Sequence, residues 1–505
     1  GTLAVDGTVA LATHGTGSAT INNGTTAINI AESSVGGNLR LISGNASGIT
    51  DSGTVTVGGN LIARTDANSG VIDLGTLAVD GTVALATNGI GNATVVNDTA
   101  LKLRHGSAVG GNLSATAITG DITDSTYLNI TGTSSFTTNA NNAKITLDNS
   151  NNAFTGSISL NTTGPLAHAV VDNGTTALDI AASNIGGDLS LISGNASGIT
   201  DSGTVTVGGN LLATTNANNG VINLGTLAID GTVAVVTNGK GNATMVNDID
   251  FGFANSTIGG DLTATATSGD LLFKGSVKTI GDVDLKATDG SILNNNVSTV
   301  AGNIKGETIT LKALNTIGTV KKQLNIDAEI LNASTTSKNP KSDINILSRG
   351  NLTLAKVKTV DGNINIKSEG FVKSEDVVAG GMGLVKIVDL EAIRLAAAAI
   401  AAEEKKRLAT AAANKKKRLA AMAAAVDIPP PPAPTMQITP ISMPSSRAAA
   451  PTVAATPLIG VSKPAGGSSS ASGGSSPTSG GMSSGGVAKG GGDSGGSAKG
   501  GGDSG

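Results

Sequence analysis

The sequence predicts an all-β protein, a right-handed parallel β-helix followed by one α-helix and a disordered Pro/Gly/Ser-rich tail. Three observations predict this fold: long internal repeats, a short turn-and-strand phrase inside each repeat, and a composition poor in aromatic residues. The chain of 505 residues has 71 glycines and six phenylalanines but only one tyrosine and no tryptophan. A globular core relies on large aromatic rings for buried area, whereas Val, Ile, Leu and Ala can fill the narrow interior of stacked coils.

The long repeat is the most specific signal in the sequence. Residues 41–61, LISGNASGITDSGTVTVGGNL, return almost unchanged at 191–211, an offset of 150 residues. The phrase GTLAVDGTVALAT begins at Gly1 and again at Gly75, and a close variant begins at Gly225. These spacings imply a unit of about 75 residues, and fixed periods of this kind are typical of solenoid proteins.

Each unit contains a shorter period that has the length of one solenoid coil. The phrase Gly-Gly-Asn-Leu begins at Gly36, Gly58 and Gly110, with strand-like residues between its copies. Alternation of apolar residues with threonine predicts strands with one side in the core. We expect the glycines to supply positive φ angles at the corners, and Asn or Thr side chains to form ladders between coils. The residues predicted to point inward are Val55, Val57, Leu61, Leu77, Val79, Val83 and Leu85, with their copies Val205, Val207, Leu211, Leu227, Ile229, Val233 and Val235.

Composition changes divide the chain into five segments. The repeats predict a parallel β-helix over residues 1–370, and residues 371–383 are interpreted as a cap or transition. Residues 384–426, rich in alanine and lysine, predict an α-helix, because strong helix formers continue without Gly or Pro. Residues 427–464 predict a Pro-rich linker, and residues 465–505 a disordered Gly/Ser-rich tail.

A β-helix has to protect the strand edges of its last coil, since free edges pair with other chains. We expect residues 371–388 to cover the carboxy-terminal end, with Phe371 or Leu384 on the last core layer. The remaining helix, residues 389–425, is expected to project into solvent, because alanine offers little apolar area for packing.

The GGNL phrase, the run ITDSGTVTVGGNL and the opening FTGSISLNTTG resemble the repeats of filamentous-haemagglutinin-type exoproteins, over residues 1–370. That family consists of passenger adhesins of two-partner secretion. The resemblance implies export through an outer-membrane β-barrel transporter, folding as a β-helix outside the cell, and a role in adhesion, aggregation or biofilm formation. The implied location is the bacterial cell surface, and the implied partners are a host, neighbouring-cell or matrix surface. The small net charge of −4 predicts no binding to nucleic acid, and the lack of an apolar run of about eighteen residues predicts no transmembrane segment.

No residues in the sequence form a convincing catalytic or metal-binding motif, and we expect no enzyme activity and no cofactor. The absence of cysteine excludes disulfides, zinc sites built on cysteine and thiol catalysis. His14, His105 and His168 are interpreted as solvent-facing turn residues. Asp51 and Asp201 occupy equivalent repeat positions, so we expect them to bond to the backbone of their own turns. The lysines that become frequent after residue 261 are interpreted as a solvated face.

Three function classes follow from this interpretation. A secreted cell-surface adhesin or structural filament is favoured. An extracellular scaffold or ice- or surface-binding solenoid is the alternative, indicated by Thr54, Thr56, Thr204 and Thr206, and a polysaccharide-acting β-helix enzyme is the remote one. Residues 117–143, with Tyr127 and Phe136, are the candidate adhesive loop.

The clusters Lys405-Lys406-Arg407 and Lys416-Lys417-Arg418 lie eleven residues apart, close to three helical turns, and are expected on one face of the helix. Three interpretations remain open for this helix. It is a charged, soluble face, a helix that binds a surface, or an element that retains the chain at the transporter.

Overall fold

A computed structural model describes residues 1–104, 106–296 and 303–425. In these residues the chain winds into a parallel β-solenoid of about 18 turns that leads into one α-helix. The predicted fold class is thereby confirmed. His105 and the segments 427–464 and 465–505 lie outside the described residues.

The described residues form 47 strands and one helix. The first 24 strands are β1 (Thr8–Val9), β2 (Ala19–Asn22), β3 (Ile28–Ile30), β4 (Ser33–Val35), β5 (Leu39–Ser43), β6 (Ile49–Asp51), β7 (Val55–Val57), β8 (Leu61–Asn68), β9 (Ile72–Val79), β10 (Thr82–Asn88), β11 (Ala93–Asn97), β12 (Leu101–Leu103), β13 (Ala108–Val109), β14 (Leu113–Ala117), β15 (Ile122–Asp124), β16 (Asn129–Ile130), β17 (Ser134–Asn141), β18 (Ile145–Leu147), β19 (Ala153–Phe154), β20 (Ile158–Thr163), β21 (Ala169–Asp172), β22 (Leu178–Ile180), β23 (Ser183–Ile185) and β24 (Leu189–Ser193). The others are β25 (Ile199–Asp201), β26 (Val205–Val207), β27 (Leu211–Asn218), β28 (Ile222–Ile229), β29 (Thr232–Asn238), β30 (Ala243–Asn247), β31 (Phe251–Phe253), β32 (Ser256–Ile258), β33 (Leu262–Ala266), β34 (Leu271–Phe273), β35 (Val277–Thr279), β36 (Val283–Ala287), β37 (Ile292–Asn294), β38 (Ile304–Lys305), β39 (Thr308–Ala313), β40 (Leu324–Asp327), β41 (Ile330–Thr335), β42 (Ile344–Ser348), β43 (Leu352–Thr359), β44 (Ile364–Ser368), β45 (Val372–Ser374), β46 (Val377–Ala379) and β47 (Val385–Asp389), followed by α1 (Leu390–Ala424).

The strands belong to two sheets on opposite sides of a narrow core. Sheet A contains β1, β3, β4, β6, β7, β9, β11, β14, β17, β20, β22, β23, β25, β26, β28, β30, β33, β36, β39, β41, β43, β45 and β46, and sheet B contains the other strands. Each strand pairs in parallel with a strand of the next coil, as Leu39 of β5 pairs with Leu61 of β8 and Leu61 with Val83 of β10. The backbone of each coil is therefore hydrogen-bonded by its neighbours.

The core consists of one column of apolar side chains between the sheets. All fourteen residues predicted to point inward are at most 2% exposed, with Leu77 among the most exposed of them. The prediction is confirmed because strict alternation puts every second side chain inside. Aromatic rings also enter this column, since Phe251 stacks on Phe253 with ring centroids 4.6 Å apart, and Phe253 stacks on Phe273 at 5.5 Å.

The repeat of about 75 residues corresponds to three and a half coils, so equivalent residues alternate between the two sheets. The first Gly-Gly-Asn-Leu phrase leads into β5 of sheet B, while the equivalent phrase at Gly110 leads into β14 of sheet A. An offset of 150 residues returns to the same sheet, since β24 of sheet B repeats β5. Two units therefore complete seven coils.

One buried asparagine in each unit bonds to backbone groups of the preceding coil that no strand pairs with at that point. These residues, each 0% exposed, are Asn23, Asn97, Asn173 and Asn247. In the second unit the Asn97 side-chain oxygen accepts the Val79 N–H at 2.8 Å, and its nitrogen donates to the Val79 carbonyl at 3.1 Å. The carboxamide thus acts as an extra peptide group towards the preceding coil, which satisfies backbone groups that would otherwise be buried without partners.

The glycines of the Gly-Gly pairs are needed for a reason other than the expected positive φ. Apart from Gly381, the glycines with positive φ lie outside Gly-Gly pairs, for example at Gly48 with φ of 70°, and the pairs at Gly36, Gly58 and Gly110 have no positive φ. A Cβ on Gly59, the second glycine of its pair, would lie 2.8 Å from the backbone carbon of Gly37 in the coil below. The expected role in supplying positive φ angles was therefore wrong for these pairs. Glycine is needed because each corner lies directly on the corner of the coil below, which leaves no space for a side chain.

The expected ladders form at the same corners. The Asn38 side-chain oxygen accepts the Asn60 N–H at 2.8 Å, and the Asn60 oxygen accepts the Thr82 N–H at 2.8 Å. Further corners repeat this arrangement, with Asp188 accepting from Asn210 at 2.7 Å. A side-chain acceptor at the corner thus joins each coil to the next where the strands end.

The solenoid continues past residue 370, so the predicted boundary and the cap were wrong. Residues 371–388 form a last coil, in which β45 and β46 pair with β43, and β47 pairs with β44. Phe371 and Leu384 are 49% and 73% exposed, and neither occupies the last core layer. Val372, Val377, Ala379 and Ile387 pack partly buried against the core instead, because they continue the inward alternation of the coil below.

The helix begins directly after the last strand. Asp389 ends β47, and its carboxylate accepts the Ala392 N–H at 2.7 Å and the Val372 N–H at 3.0 Å. This residue therefore caps the helix and fixes its start to the last coil. All residues from Ala392 to Ala425 are exposed, as expected, although the helix starts at Leu390 and not at residue 384.

A charged residue in the core should damage the solenoid only locally. Replacing Val205, 1% exposed, by Asp should cost several kcal/mol, because it buries an unpaired charge. Loss of hydrogen-exchange protection should stay in the adjacent coils, since repeat stability is mainly nearest-neighbour. Thr206→Asp, on the exposed side of the same strand, is the control, and uniform loss of protection along the rod would contradict the expectation.

The corner glycines offer a second test. Gly59→Ala should destabilise its coil by about 1–3 kcal/mol, because the new methyl group overlaps backbone of the coil below. In Gly75→Ala the new Cβ meets nothing nearer than Asp51 Oδ1 at 4.0 Å, so this control should be neutral or slightly stabilising. Thermal unfolding and hydrogen exchange of the two variants measure the difference, and equal effects would show that stacking does not require the glycine.

Candidate functional site

The segment 117–143, predicted as an adhesive loop, is regular solenoid. It contains the whole of β15, β16 and β17, and its strands pair in parallel with those of neighbouring coils. Tyr127 lies in the turn between β15 and β16 and is 41% exposed. The prediction of a loop over these residues was wrong, and Tyr127 is an aromatic side chain on the surface of a turn between two strands.

Phe136 is buried, so its place in the candidate adhesive loop has to be corrected. The ring is 0% exposed and packs edge-on against Phe154, with centroids 5.8 Å apart. It occupies the core position taken by Ala63 and Ala213 in equivalent strands. The alternation of the strand already indicated an inward side chain, because Phe136 is two positions from the buried Ser134 and therefore lies on the same side of β17.

Asp124 is the titratable group nearest to Tyr127 in sequence. Its carboxylate accepts a hydrogen bond from the Asn152 amide at 2.6 Å and weaker ones from the N–H groups of Asp148 and Asn149 at 3.3 Å. Burial raises the pKa of Asp124 above its usual value, although the bond from Asn152 opposes that rise. The carboxylate joins neighbouring coils and is occupied by these partners.

The repeated aspartates Asp51 and Asp201 bond to the next coil. The Asp51 carboxylate accepts the N–H groups of Gly75 at 3.0 Å and Thr76 at 2.8 Å, and Asp201 repeats this arrangement with Gly225 and Thr226. The expected bond to their own turns was wrong in detail, because a solenoid places the next coil closer to the carboxylate than sequence neighbours. These aspartates therefore join neighbouring coils through hydrogen bonds to the backbone.

His168 belongs to the corner ladder. Its Nδ1 accepts the Asp188 N–H at 2.8 Å, in the position where other corners have Asn or Asp. His14 is exposed in a turn. Among the described residues, no three His, Asp or Glu side chains lie close enough together to hold a metal ion.

Some of the lysines after residue 261 pair with carboxylates in neighbouring coils. Lys305 pairs with Asp327 at 2.9 Å, which raises the pKa of Lys305. Lys312 pairs with Asp284 at 3.0 Å. Exposed ion pairs of this kind contribute only about 0–1 kcal/mol to the free energy of unfolding, so they add little to the stability of the solenoid.

A shallow groove of about 470 Å³ lies beside one of these pairs. Its charged lining consists of Lys305, Glu307, Asp327 and Glu329, and Ile280, 71% exposed, forms part of its wall. Glu307 and Glu329 belong to successive coils, since the Glu329 N–H donates to the Glu307 carbonyl at 3.0 Å. No aromatic ring lines this groove, although sugar-binding sites commonly use such rings for stacking.

Sheet A presents rows of small polar side chains on its outer face. In register, Thr94, Ser114, Ser135 and Ser159 form one row across four coils. Thr116, Thr137 and Asn161 form a second row beside it, and Thr263 and Thr265 form a pair further along the same sheet. We call residues 94, 114, 116, 135, 137, 159 and 161 the polar face. Sequence reasoning missed it, because Thr54 and Thr56 were considered without the register.

The basic clusters lie on α1 and are exposed. Three consecutive helical residues are about 100° apart, so Lys405, Lys406 and Arg407 spread around more than half of the helix circumference. The second cluster lies three turns further along. Each cluster therefore forms a collar around the helix, and only equivalent members of the two clusters share a face. No helix in the described part of the chain is long and apolar enough to cross a membrane.

Comparison with known proteins yields one match. Residues 90–161 match a family described as repeats of unknown function (DUF5649). This segment extends from the turn before β11 into β20 and is nearly one unit of three and a half coils. Neither curated proteins nor solved structures match the chain. The comparisons thus agree with a repeat protein and assign no activity.

The different environments of Tyr127 and Phe136 predict different effects of substitution. Phe136→Ala should cost about 3–5 kcal/mol, because it leaves a cavity between coils. Tyr127→Thr, which installs the residue found at equivalent Thr54, should cost less than about 1 kcal/mol. Hydrogen exchange of β17 and β20 measures the effect at Phe136, and that of β15 and β16 the effect at Tyr127. A Tyr127 variant as damaging as the Phe136 variant would contradict this assignment.

Proposed function

We propose that the chain is a secreted cell-surface adhesin or structural filament, whose rod contacts another surface through repeated weak interactions. The observation that carries this proposal is the polar face, because it repeats the same small hydroxyl and amide groups coil after coil. Groups spaced by about 4.8 Å along a stiff rod suit binding to an extended, repetitive surface. Many weak contacts on one rigid body add up to firm attachment.

The resemblance to filamentous-haemagglutinin-type repeats supports the same proposal. It implies a location outside a bacterial cell, with an outer-membrane β-barrel transporter as partner during export and a host, neighbouring-cell or matrix surface as target. A solenoid without cysteine is compatible with that route, because its coils fold by local stacking and need no disulfides.

Two other functions remain as alternatives with defined locations. An ice- or surface-binding solenoid would use the same polar face against an ordered lattice. A polysaccharide-acting enzyme would use the groove that contains Glu307 and Glu329. The openness of that groove to solvent favours the adhesin.

The test is attachment of beads coated with the full chain to bacterial cells and to immobilised polysaccharide. Thr116→Lys with Thr137→Lys should reduce bead retention by about fivefold or more, because long charged side chains break the face and repeated contacts are lost together. The control is Thr123→Lys with Thr146→Lys, which lie in register on sheet B of the same unit.

Absence of retention by the unmodified chain would refute the adhesin proposal. Equal bead retention by the sheet A and sheet B variants would show that the polar face is not the contact surface. Thermal hysteresis or slowed ice recrystallisation by the unmodified chain, lost in the sheet A variant, would favour the ice-binding alternative. Shortening of a polysaccharide that Glu329→Gln abolishes would favour the enzyme.

A further inference from the structure

The helix α1 has an exposed apolar stripe that its own chain leaves uncovered in the described residues. Ile400, Leu408, Leu419 and Met422 are 58–69% exposed, although burial of such side chains is favourable. The stripe repeats every eleven residues. Eleven residues complete three helical turns plus a rotation of about 20°, so equivalent residues stay on nearly the same side of the helix. Its members are Ile393, Ala397, Ile400, Glu404, Leu408, Ala411, Lys415, Leu419 and Met422.

Two charged residues interrupt the stripe at equivalent positions. Glu404 and Lys415 are eleven residues apart, and each stands where the repeat otherwise has an apolar residue. Neither forms an ion pair in the part of the chain that the structure describes. About 16 Å of helix separates them, so they cannot pair with each other within one chain.

We propose that this stripe binds the same stripe of a second copy of the chain, and that the two helices run antiparallel. When Glu404 of one copy faces Lys415 of the other, Lys415 of the first also faces Glu404 of the second. The same alignment places Leu408 opposite Ala411, Ile400 opposite Leu419, and Ala397 opposite Met422. Large residues thus meet small ones in four of the six apolar layers, which lets the helices approach closely and pack.

The parallel arrangement is disfavoured by charge. In a parallel pair Glu404 would face Glu404 and Lys415 would face Lys415, and like charges in facing positions are repulsive. A parallel pair would also bring two solenoids together, because α1 follows β47 without a connecting segment. Residues 1–389 carry 31 acidic and 21 basic side chains in total, so two whole solenoids held side by side repel each other.

The antiparallel pair keeps the rods apart. In this alignment residues 395–424 of the two helices overlap, which is about 45 Å of helix, and one solenoid lies at each end. The collars of basic residues remain accessible around the pair. The dimer carries two rods and therefore two polar faces, although the inference of pairing does not rest on the proposed function.

Sedimentation velocity of the full chain at increasing concentration tests the pairing. The unmodified chain should form dimers, and Glu404→Lys or Lys415→Glu alone should weaken dimerisation about tenfold or more, since each places two like-charged pairs in the interface. The double variant Glu404→Lys/Lys415→Glu should restore the dimer. Lys406→Glu, on the opposite side of the helix, is the control, and all these residues are strong helix formers.

Cysteine cross-linking tests the direction and register, because the chain has no cysteine of its own. Oxidation of a mixture of Ala397→Cys and Met422→Cys chains should give mixed disulfide dimers, whereas Ala397→Cys alone should not cross-link. A mixture of Ala402→Cys and Lys417→Cys chains, at matching height on the far side of the helix, is the control. A monomer at every concentration, a double variant as weak as the single ones, or cross-linking of Ala397→Cys with itself would overturn the proposal.

Discussion

Register between successive coils is the constraint on which the rest of this structure depends. Each strand is hydrogen-bonded to equivalent residues one coil away, as Leu39, Leu61 and Val83 are. Every coil must therefore have nearly the same cross-section, which fixes which positions face inward and where the corners lie. The missing Cβ of Gly59 and the bond from Asn60 N–H to Asn38 follow from this requirement, since a corner must lie directly on the corner below.

The same constraint explains why one sequence unit serves both sheets. A unit of three and a half coils puts its phrases in sheet B in one copy and in sheet A in the next, as β5 and β14 illustrate. This works because the two sheets enclose the core from opposite sides and require the same alternation. The buried asparagines Asn23 and Asn97 make equivalent bonds to the preceding coil on alternate sides. A duplicated segment can therefore extend such a rod without a new packing solution.

Function on this scaffold belongs to surfaces, because the interior is filled by one continuous column of side chains. The outer faces differ in chemistry along the rod: small polar residues repeat on sheet A, and paired lysines and carboxylates become frequent after residue 261. The helix differs again, since all its described residues after Glu391 are exposed, including those of its apolar stripe. The proposed attachment through the rod and the proposed association through the helix would therefore use separate parts of the chain.

The sequence by itself determined the solenoid, the inward residues and the presence of the helix. Period-two alternation decides the direction of Val55 and Val57, and an alanine-rich stretch without Gly or Pro decides the helix, so both are local properties. Only the tertiary structure decided which side chains of one coil contact the next coil. The pairing of Asp51 with Gly75 and Thr76, the last coil at 371–388 and the polar face are contacts between residues about 20 or more positions apart, which no local pattern specifies. Phe136 lies between these cases, because its parity pointed inward while its aromatic character suggested a surface contact, and the stacking of coils decided for burial.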